Sequence, residues 1–397
     1  MSTRTEHVLS LRSSRDHSFV VDIYENLDDP SLIGWIAKHV GKRLALIVTT
    51  PTVNRLYGMT VRQCFERAGS RVDWAVIECG EKNKLLSCVE QVCQAAARAG
   101  IDRRGALIAL GGGVCTDIVT MASSMLRRGI SHLRIPTTLI GQIDAGIGLK
   151  GGVNFEDHKN YLGCFYPPDA VAIVPSFLKT LGRDGIKQGL AEMIKVACTS
   201  DVILFEQLER AEAGEIESSM ISGDPRAHDL IRRSIAAMLF ELDKNPFERN
   251  GYERAVDLGH TLAHPLEAST NYTLHHGFAV AIDLAFSALL ANGLGWLDIG
   301  STRRILGALK SSGLPLWHEH LNEHFVLAAF RESAKHRGGH INMTLPTGIG
   351  TYRFLKTEQQ CAPHLIEATL SSLKDMELRR SEPSIVALRD RLTIEYS

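Results

Sequence analysis

Short apolar runs alternate with amphipathic stretches through the first half of the chain. Leu44 to Val48 (LALIV), Val72 to Ile77 and Ala106 to Leu110 read as buried strands. Val53 to Ala68 and Leu85 to Ala99 carry helical spacing, and Gly100 is placed to end the second helix. The alternation predicts an α/β domain. The strand at 106–110 runs directly into Gly111, Gly112 and Gly113, with a helix expected from Asp117 onward. Bare N–H groups of a glycine turn at a helix N-terminus form a cradle for phosphate. The GxGxxG dinucleotide fingerprint is absent, so the glycines alone describe a tight turn equally well. A further apolar run ends at Ile143, which puts the Asp144 carboxylate near a strand end, where open α/β sheets bind ligands.

The period changes after about residue 180. Segments 185–200, 202–213, 229–243, 260–269 and 277–292 all repeat at helical spacing. Segments 218–225 (SSMISGDP) and 244–251 (KNPFERNG) are rich in turn formers and read as connections. The pattern predicts an α/β domain over residues 1–182 and a mainly helical domain over 183–397.

Composition narrows the class. With 397 residues and 44% hydrophobic content, the chain has ample material for two cores. Lys and Arg number 44 against 45 Asp and Glu, so a net charge of −1 gives no electrostatic case for nucleic acid or an anionic membrane. The eight cysteines lack any CxxC spacing and read as reduced thiols. No signal-like apolar run opens the chain, and no later segment reads as a membrane span of about 18 apolar residues. A soluble, cytoplasmic protein is expected.

Candidate chemistry concentrates in the second half. Glu192 and Lys195 are three apart on one helical face. His260 and His264 are four apart, and His276 follows a loop. Imidazoles with a carboxylate suit a catalytic zinc that keeps an open position. Four candidates compete for three places, and spacing alone allows His260 and His264 to chelate together. Lys150, Lys159 and Asn160 lie in glycine-rich turns where a lysine can meet a phosphate. Arg127 and Arg128 form another small basic site.

Taken in order, Gly111 to Asp117, Arg128-Gly129, Pro136 to Leu139, Asp144, Lys150, Val153-Asn154, Lys159-Asn160, Gly189 to Lys195, Gly259 to Thr261 and His276-Gly277 resemble the sugar phosphate cyclases, the superfamily of dehydroquinate synthase. The resemblance implies an N-terminal NAD-binding α/β domain, a mainly α-helical metal-binding domain, an active site between them and a homodimer. It implies Glu192, His260 and His276 as ligands of zinc, with cobalt as an alternative. Glu81 and Lys84 would meet the adenosine side of NAD. Gly112, Gly113 and Asp117 would hold its diphosphate, and Thr137, Thr138, Lys159 and Thr180 the remainder. Asp144, Lys150, Asn160 and Lys195 would contact substrate. Arg128 would reach a phosphate across the dimer interface, and His264 becomes a substrate-side residue.

Departures from the dehydroquinate synthase pattern point elsewhere in the superfamily. Asp257 replaces the Asn expected three residues before the first zinc histidine, and Met238 lies where an upstream lysine is expected. The motifs at 150–155 and 158–163, and His336 within Lys335 to Gly339, are similar to C7-cyclitol synthases acting on sedoheptulose 7-phosphate. Asp257 and His336 resemble the 2-epi-5-epi-valiolone synthase branch. His264 in place of Pro, and Phe278 in place of Glu, leave room for 2-epi-valiolone synthase. The implied reaction is transient oxidation, β-elimination of phosphate, reduction and intramolecular aldol cyclisation. Dehydroquinate synthase, a metal-dependent polyol dehydrogenase and a non-catalytic sugar-phosphate sensor are the competing readings.

Overall fold

The computed structural model describes residues 17–156 and 158–379. The N-terminal half is built on a six-stranded parallel sheet in the order β1-β8-β5-β4-β2-β3. Its strands are β1 (Val20–Ile23), β2 (Ala45–Thr49), β3 (Val72–Val76), β4 (Ala106–Gly111), β5 (Ser131–Pro136) and β8 (Ala170–Ile173). An antiparallel hairpin of β6 (Lys150–Phe155) and β7 (His158–Phe165) stands apart from it. Both sheet faces are covered, so alternate residues of one strand enter different cores. Ala45 and Ile47 pack with α1 (Pro30–His39) and α2 (Pro51–Arg67), whereas Leu46 and Val48 pack with α3 (Leu86–Arg98) and α4 (Gly113–Met125). Connections run outward in opposite directions from β2 and β4, which are neighbours. That reversal is the point at which open α/β sheets bind ligands, and the three glycines leave β4 there.

Helices follow: α5 (Arg183–Ser200), α6 (Val202–Glu209), α7 (Glu215–Ser222), α8 (Pro225–Lys244), α9 (Ala263–Ser269), α10 (His276–Gly293), α11 (Ile299–Ser311), α12 (Glu323–His336) and α13 (Pro363–Arg379). A hairpin of β9 (Met343–Gly348) and β10 (Thr351–Leu355) interrupts them. Helix α10 is the axis of this half. It is long and apolar enough to cross a membrane, contrary to the sequence expectation, and 78% of it is buried inside the fold. The eight cysteines are free thiols.

Three local expectations are corrected. Segment 218–225 was expected as a connection, but most of it lies in α7. Ile216 and Met220 are buried one turn apart, and left-handed Gly214 (φ 79°) and Gly223 (φ 71°) bracket the helix. The helix after the glycines starts at Gly113 and not at Asp117. The apolar run before Asp144 is no strand: Gly141–Ala145 forms a single π-helical turn, closed by Gly146 N donating to Gly141 O at 2.8 Å.

Candidate active site

A cavity of about 630 Å³ opens between the glycine turn, the β6–β7 hairpin and helices α5, α9 and α10. Its nucleotide-side wall contains Gly112 and Gly113. A Cβ at Gly112 would lie 3.0 Å from Thr138 Cγ2, and one at Gly113 would lie 3.1 Å from Ala145 Cβ. Both glycines line the space, and a side chain at either would press on its neighbour. Lys84, almost wholly buried, donates to Asp117 at 2.5 Å and to Asn160 Oδ1 at 2.6 Å. Asn154 ties the 81–84 turn to the hairpin: its amide donates to Glu81 O at 2.9 Å, and its Oδ1 accepts from Asn160 N at 2.9 Å. Asn160 itself has φ 53°.

The opposite wall carries the histidines. Glu192, buried on α5, places Oε1 3.0 Å from His276 Nε2 and 3.7 Å from His260 Nε2. His260 Nδ1 lies 3.1 Å from Leu258 O, and His276 Nδ1 lies 3.0 Å from Glu267 Oε2. Each ring is thus oriented by its far nitrogen, with Nε2 turned to the carboxylate, the arrangement that supports a metal-binding imidazole. The Glu192 oxygens meet only ionisable groups, Oε1 the two imidazoles and Oε2 the Lys195 ammonium. Ligand atoms about 2.1 Å from a tetrahedral ion lie about 3.4 Å apart. The Glu192–His260–His276 atoms fall within 4.8 Å of one another, so the donor set fits a divalent ion such as zinc.

His264 stands outside that trio. It groups with Glu267 and His276, its ring 5.2 Å from His260 and 5.9 Å from His276, and it lines the cavity. Glu267 was not singled out from the sequence: it carries no motif, and only the fold brings it beneath His276. Burial alone would depress His276, yet Glu267 and Glu192 push it up to about 9. The same carboxylates that favour a proton on this ring favour a metal cation there. Burial and the Lys195 charge push His260 down to about 3, which keeps it neutral. Lys195 lies 2.5 Å from Glu192 Oε2 and 3.4 Å from Asp144 Oδ2. Burial opposes its charge, but the two carboxylates outweigh it and raise the ammonium above its usual range.

Farther out, Lys150 and Arg254 both contact the Glu248 carboxylate. Asp257 pairs with Arg337 at 3.1 Å and Arg254 at 3.5 Å. Glu248 and Arg254 complete this charged wall and were not singled out from the sequence, because neither belongs to a spaced motif, whereas Arg337, behind Asp257, sits in the Lys335–Gly339 motif without having been given a role of its own.

Most predicted residues converge. Glu81, Lys84, Gly112, Gly113, Asp117, Thr138, Asp144, Lys150, Lys159, Asn160, Lys195, Asp257, His260, His264 and His276 line the cavity. Lys159 is engaged with carboxylates, 2.6 Å from Glu267 and 3.7 Å from Glu81. Thr137, Thr180 and Arg128 do not line it. Thr137 is buried under the glycine turn, Thr180 is bonded to Tyr57, and Arg128 is exposed at φ 68°. Phe278 packs half-buried against the helical core and not at the cavity. The His336 side chain lies outside the described residues, although its backbone ends α12.

Comparison with known proteins places this constellation. Residues 74–188 match the family profile 3-dehydroquinate synthase N-terminal, and residues 189–336 match 3-dehydroquinate synthase C-terminal. The chain belongs to the 3-dehydroquinate synthase family. Within that family it is 37% identical over 359 residues to a 2-epi-5-epi-valiolone synthase of Streptomyces glaucescens, covering 89% of this chain and 90% of that protein. It is 34% identical over 328 residues to a 3-dehydroquinate synthase of Caldanaerobacter subterraneus subsp. tengcongensis, covering 82% and 90%. A solved 2-epi-5-epi-valiolone synthase from Streptomyces hygroscopicus subsp. jinggangensis 5008, with NAD+ and Zn2+ bound, superposes with a TM-score of 0.85 at 36% identity. The match covers 92% of this chain and 99% of that one.

Proposed function

We propose that this family member is a sedoheptulose 7-phosphate cyclase that releases phosphate and forms 2-epi-5-epi-valiolone. The single observation that carries the reading is Asp257 on the substrate wall, paired with Arg337 and Arg254, in a cavity that His260 and His276 also line. Similarity to several 2-epi-5-epi-valiolone synthases supports it. The glycine turn, Lys84 and Asp117 hold NAD, and Glu192, His260 and His276 hold zinc. When bound, NAD supplies reversible hydride acceptance and zinc supplies Lewis acidity toward the hydroxyl being oxidised.

The chain's own groups do the positioning. Lys195, held charged between Asp144 and Glu192, presents N–H donors to substrate oxygens and fixes the orientation of the Asp144 carboxylate. Asp144, pushed up by burial against the pull of Lys195, is placed to take and return a proton at the cavity wall. Lys150, Asn160 and Arg254 form the cationic and polar end that meets the sugar phosphate, displacing the Glu248 counter-ion. Asp257 and His264 border the space in which the open-chain intermediate turns and closes, so they bear on which face reacts. Holding both ends of a flexible seven-carbon chain near the closing geometry removes rotational freedom in advance of an intramolecular step.

Residues 1–182 form the NAD-binding part and 183–397 the metal- and substrate-binding part, two units that share one core. The protein works in the cytoplasm as a homodimer, with the exposed Arg128 reaching a partner's phosphate. The test is phosphate release by the zinc-loaded protein with NAD at a small fraction of the sugar concentration. The kcat/KM for sedoheptulose 7-phosphate should exceed that for the C7 acid phosphate precursor of dehydroquinate by at least about 100-fold. The reverse preference would overturn the proposal.

A further inference from the structure

Among the described residues, Arg134 is the largest fully buried side chain. It enters from β5, yet no carboxylate among the described residues lies within ion-pair distance of it. Its guanidinium donates from Nη1 to Gly148 O at 2.5 Å and Gly146 O at 3.2 Å. From Nη2 it donates to Thr120 Oγ1 at 2.9 Å and Lys150 O at 3.5 Å. Nε has no hydrogen-bond partner. An unpaired buried cation is costly. Burial pushes Arg134 down only to about 10, so it remains charged near neutrality.

The partners give the reason. All three carbonyls belong to the stretch that leaves the π-turn at Asp144 and enters β6 at Lys150. Its amides close the turn on Gly141 O and Asp144 O, and Ile147 is buried in the core, but these bonds leave the carbonyls of Gly146, Gly148 and Lys150 to the guanidinium. A Cβ at Gly146 would fall 2.2 Å from Gly141 O, so bulk cannot be added where the turn closes. Its inward carbonyls need donors, and a planar fork with five N–H groups serves several at once. Thr120 connects the fork to α4. Its hydroxyl donates to Thr116 O at 2.8 Å while accepting from Arg134, and Gly151 packs directly on it. His132 is the other member of this layer. It lies 3.4 Å from Thr120 Oγ1 and is kept neutral by burial and the neighbouring guanidinium.

We infer that Arg134 is a positioning residue for catalysis: by gripping the carbonyls of Gly146, Gly148 and Lys150, it holds Asp144 and Lys150 in place opposite Lys195. The inference rests on the sedoheptulose 7-phosphate cyclase reading. It extends that reading to a residue that touches neither substrate nor cofactor.

The experiment uses full-length Arg134→Lys and Thr120→Val proteins with two readouts. Amide exchange over residues 144–150 should quicken at least about tenfold in Arg134→Lys while β4 amides stay at wild-type rates, because a lysine cannot bridge the three carbonyls. In the same protein kcat/KM for sedoheptulose 7-phosphate should fall at least about tenfold, with NAD affinity within about threefold of wild type. Thr120→Val removes one acceptor and should move both readouts the same way by less. Wild-type exchange over 144–150 in Arg134→Lys overturns the inference, as does a uniform rise that includes β4 or an equal loss of NAD affinity. If Arg134→Lys does not fold, unchanged exchange in Thr120→Val overturns it instead. Failure of the wild-type protein to release phosphate would count against the cyclase reading, and the exchange measurement would still decide the clamp.

Discussion

The donor set Glu192–His260–His276 depends on a residue outside it. Glu267 accepts from His276 Nδ1 at 3.0 Å and is itself held by Lys159 at 2.6 Å. It thereby selects the ring tautomer that offers Nε2 to the metal. Glu267→Gln keeps the shape but loses the charge, and metal affinity should fall about 10- to 100-fold in a chelator competition, with NAD binding unchanged. Unaltered metal affinity would assign Glu267 to packing alone. That Glu192, His260 and His276 could come together was legible from residue type and order, and the fold does bring their donor atoms within 4.8 Å of one another. The membership of the trio was not settled by spacing, because His260 and His264 at i and i+4 look like a chelating pair. In the fold the His260 and His264 rings still lie 5.2 Å apart, but the donor atoms of His260 and His276 group with Glu192, whereas His264 groups with Glu267 and His276.

At the scale of elements, close backbone contact fixes how the helices present these groups. A Cβ at Gly277 would lie 2.3 Å from Gln188 Cα and 2.4 Å from its carbonyl, so α10 crosses α5 almost backbone to backbone just beside His276 and Glu192. Gly277→Ala should destabilise the fold by about 3 kcal/mol, the upper end for overpacking, because backbone cannot yield as a side chain can. A denaturant midpoint equal to wild type would refute that contact.

Asp283 supplies a second link. From α10 its carboxylate accepts from Leu262 N at 2.6 Å and Ala263 N at 3.3 Å, capping α9. Burial raises it from 3.8 to about 6. The folded state therefore binds the proton more tightly than the unfolded chain does. Its contribution is complete below the unfolded value and is lost as pH rises through about 6, an effect on the order of 3 kcal/mol. Asp283→Asn should flatten the fall in stability between pH 4.5 and 7.5 that wild type shows, read from denaturation at each pH. Parallel curves for the two proteins would contradict the assignment. Elements such as α7 escaped sequence reading because Ser, Gly, Asp and Pro mark its ends, while its two buried contacts are invisible without the core they meet. The π-turn escaped because a buried apolar run has no period that distinguishes it from a strand.

Across the whole molecule, the strand–glycine–helix order and the helical second half were readable because period and punctuation are local. What joins them was not. Leu139, Ile143, Ile147, Val171 and Ile173 pack into the same core as Ile186, Leu190 and the residues of α10, so the change of character near 182 is no boundary in the interior. That shared core sets the nucleotide cradle against the metal-ligand set, and the β6–β7 hairpin closes the side between them. The charge pairs Lys150–Glu248 and Asp257–Arg337 span long stretches of chain, and residue spacing carries no trace of them. The apolar α10 meets the length and hydropathy of a membrane span, but its burial within the fold accounts for its composition.

The most direct test of the central claim is an NMR and absorbance balance on the zinc-loaded protein with sedoheptulose 7-phosphate and trace NAD. The account predicts one phosphate per sugar consumed, a seven-carbon carbocyclic ketone with the coupling pattern of 2-epi-5-epi-valiolone, and no build-up of NADH. An oxidised open-chain sugar phosphate accompanied by accumulating NADH would contradict it and identify a polyol dehydrogenase instead.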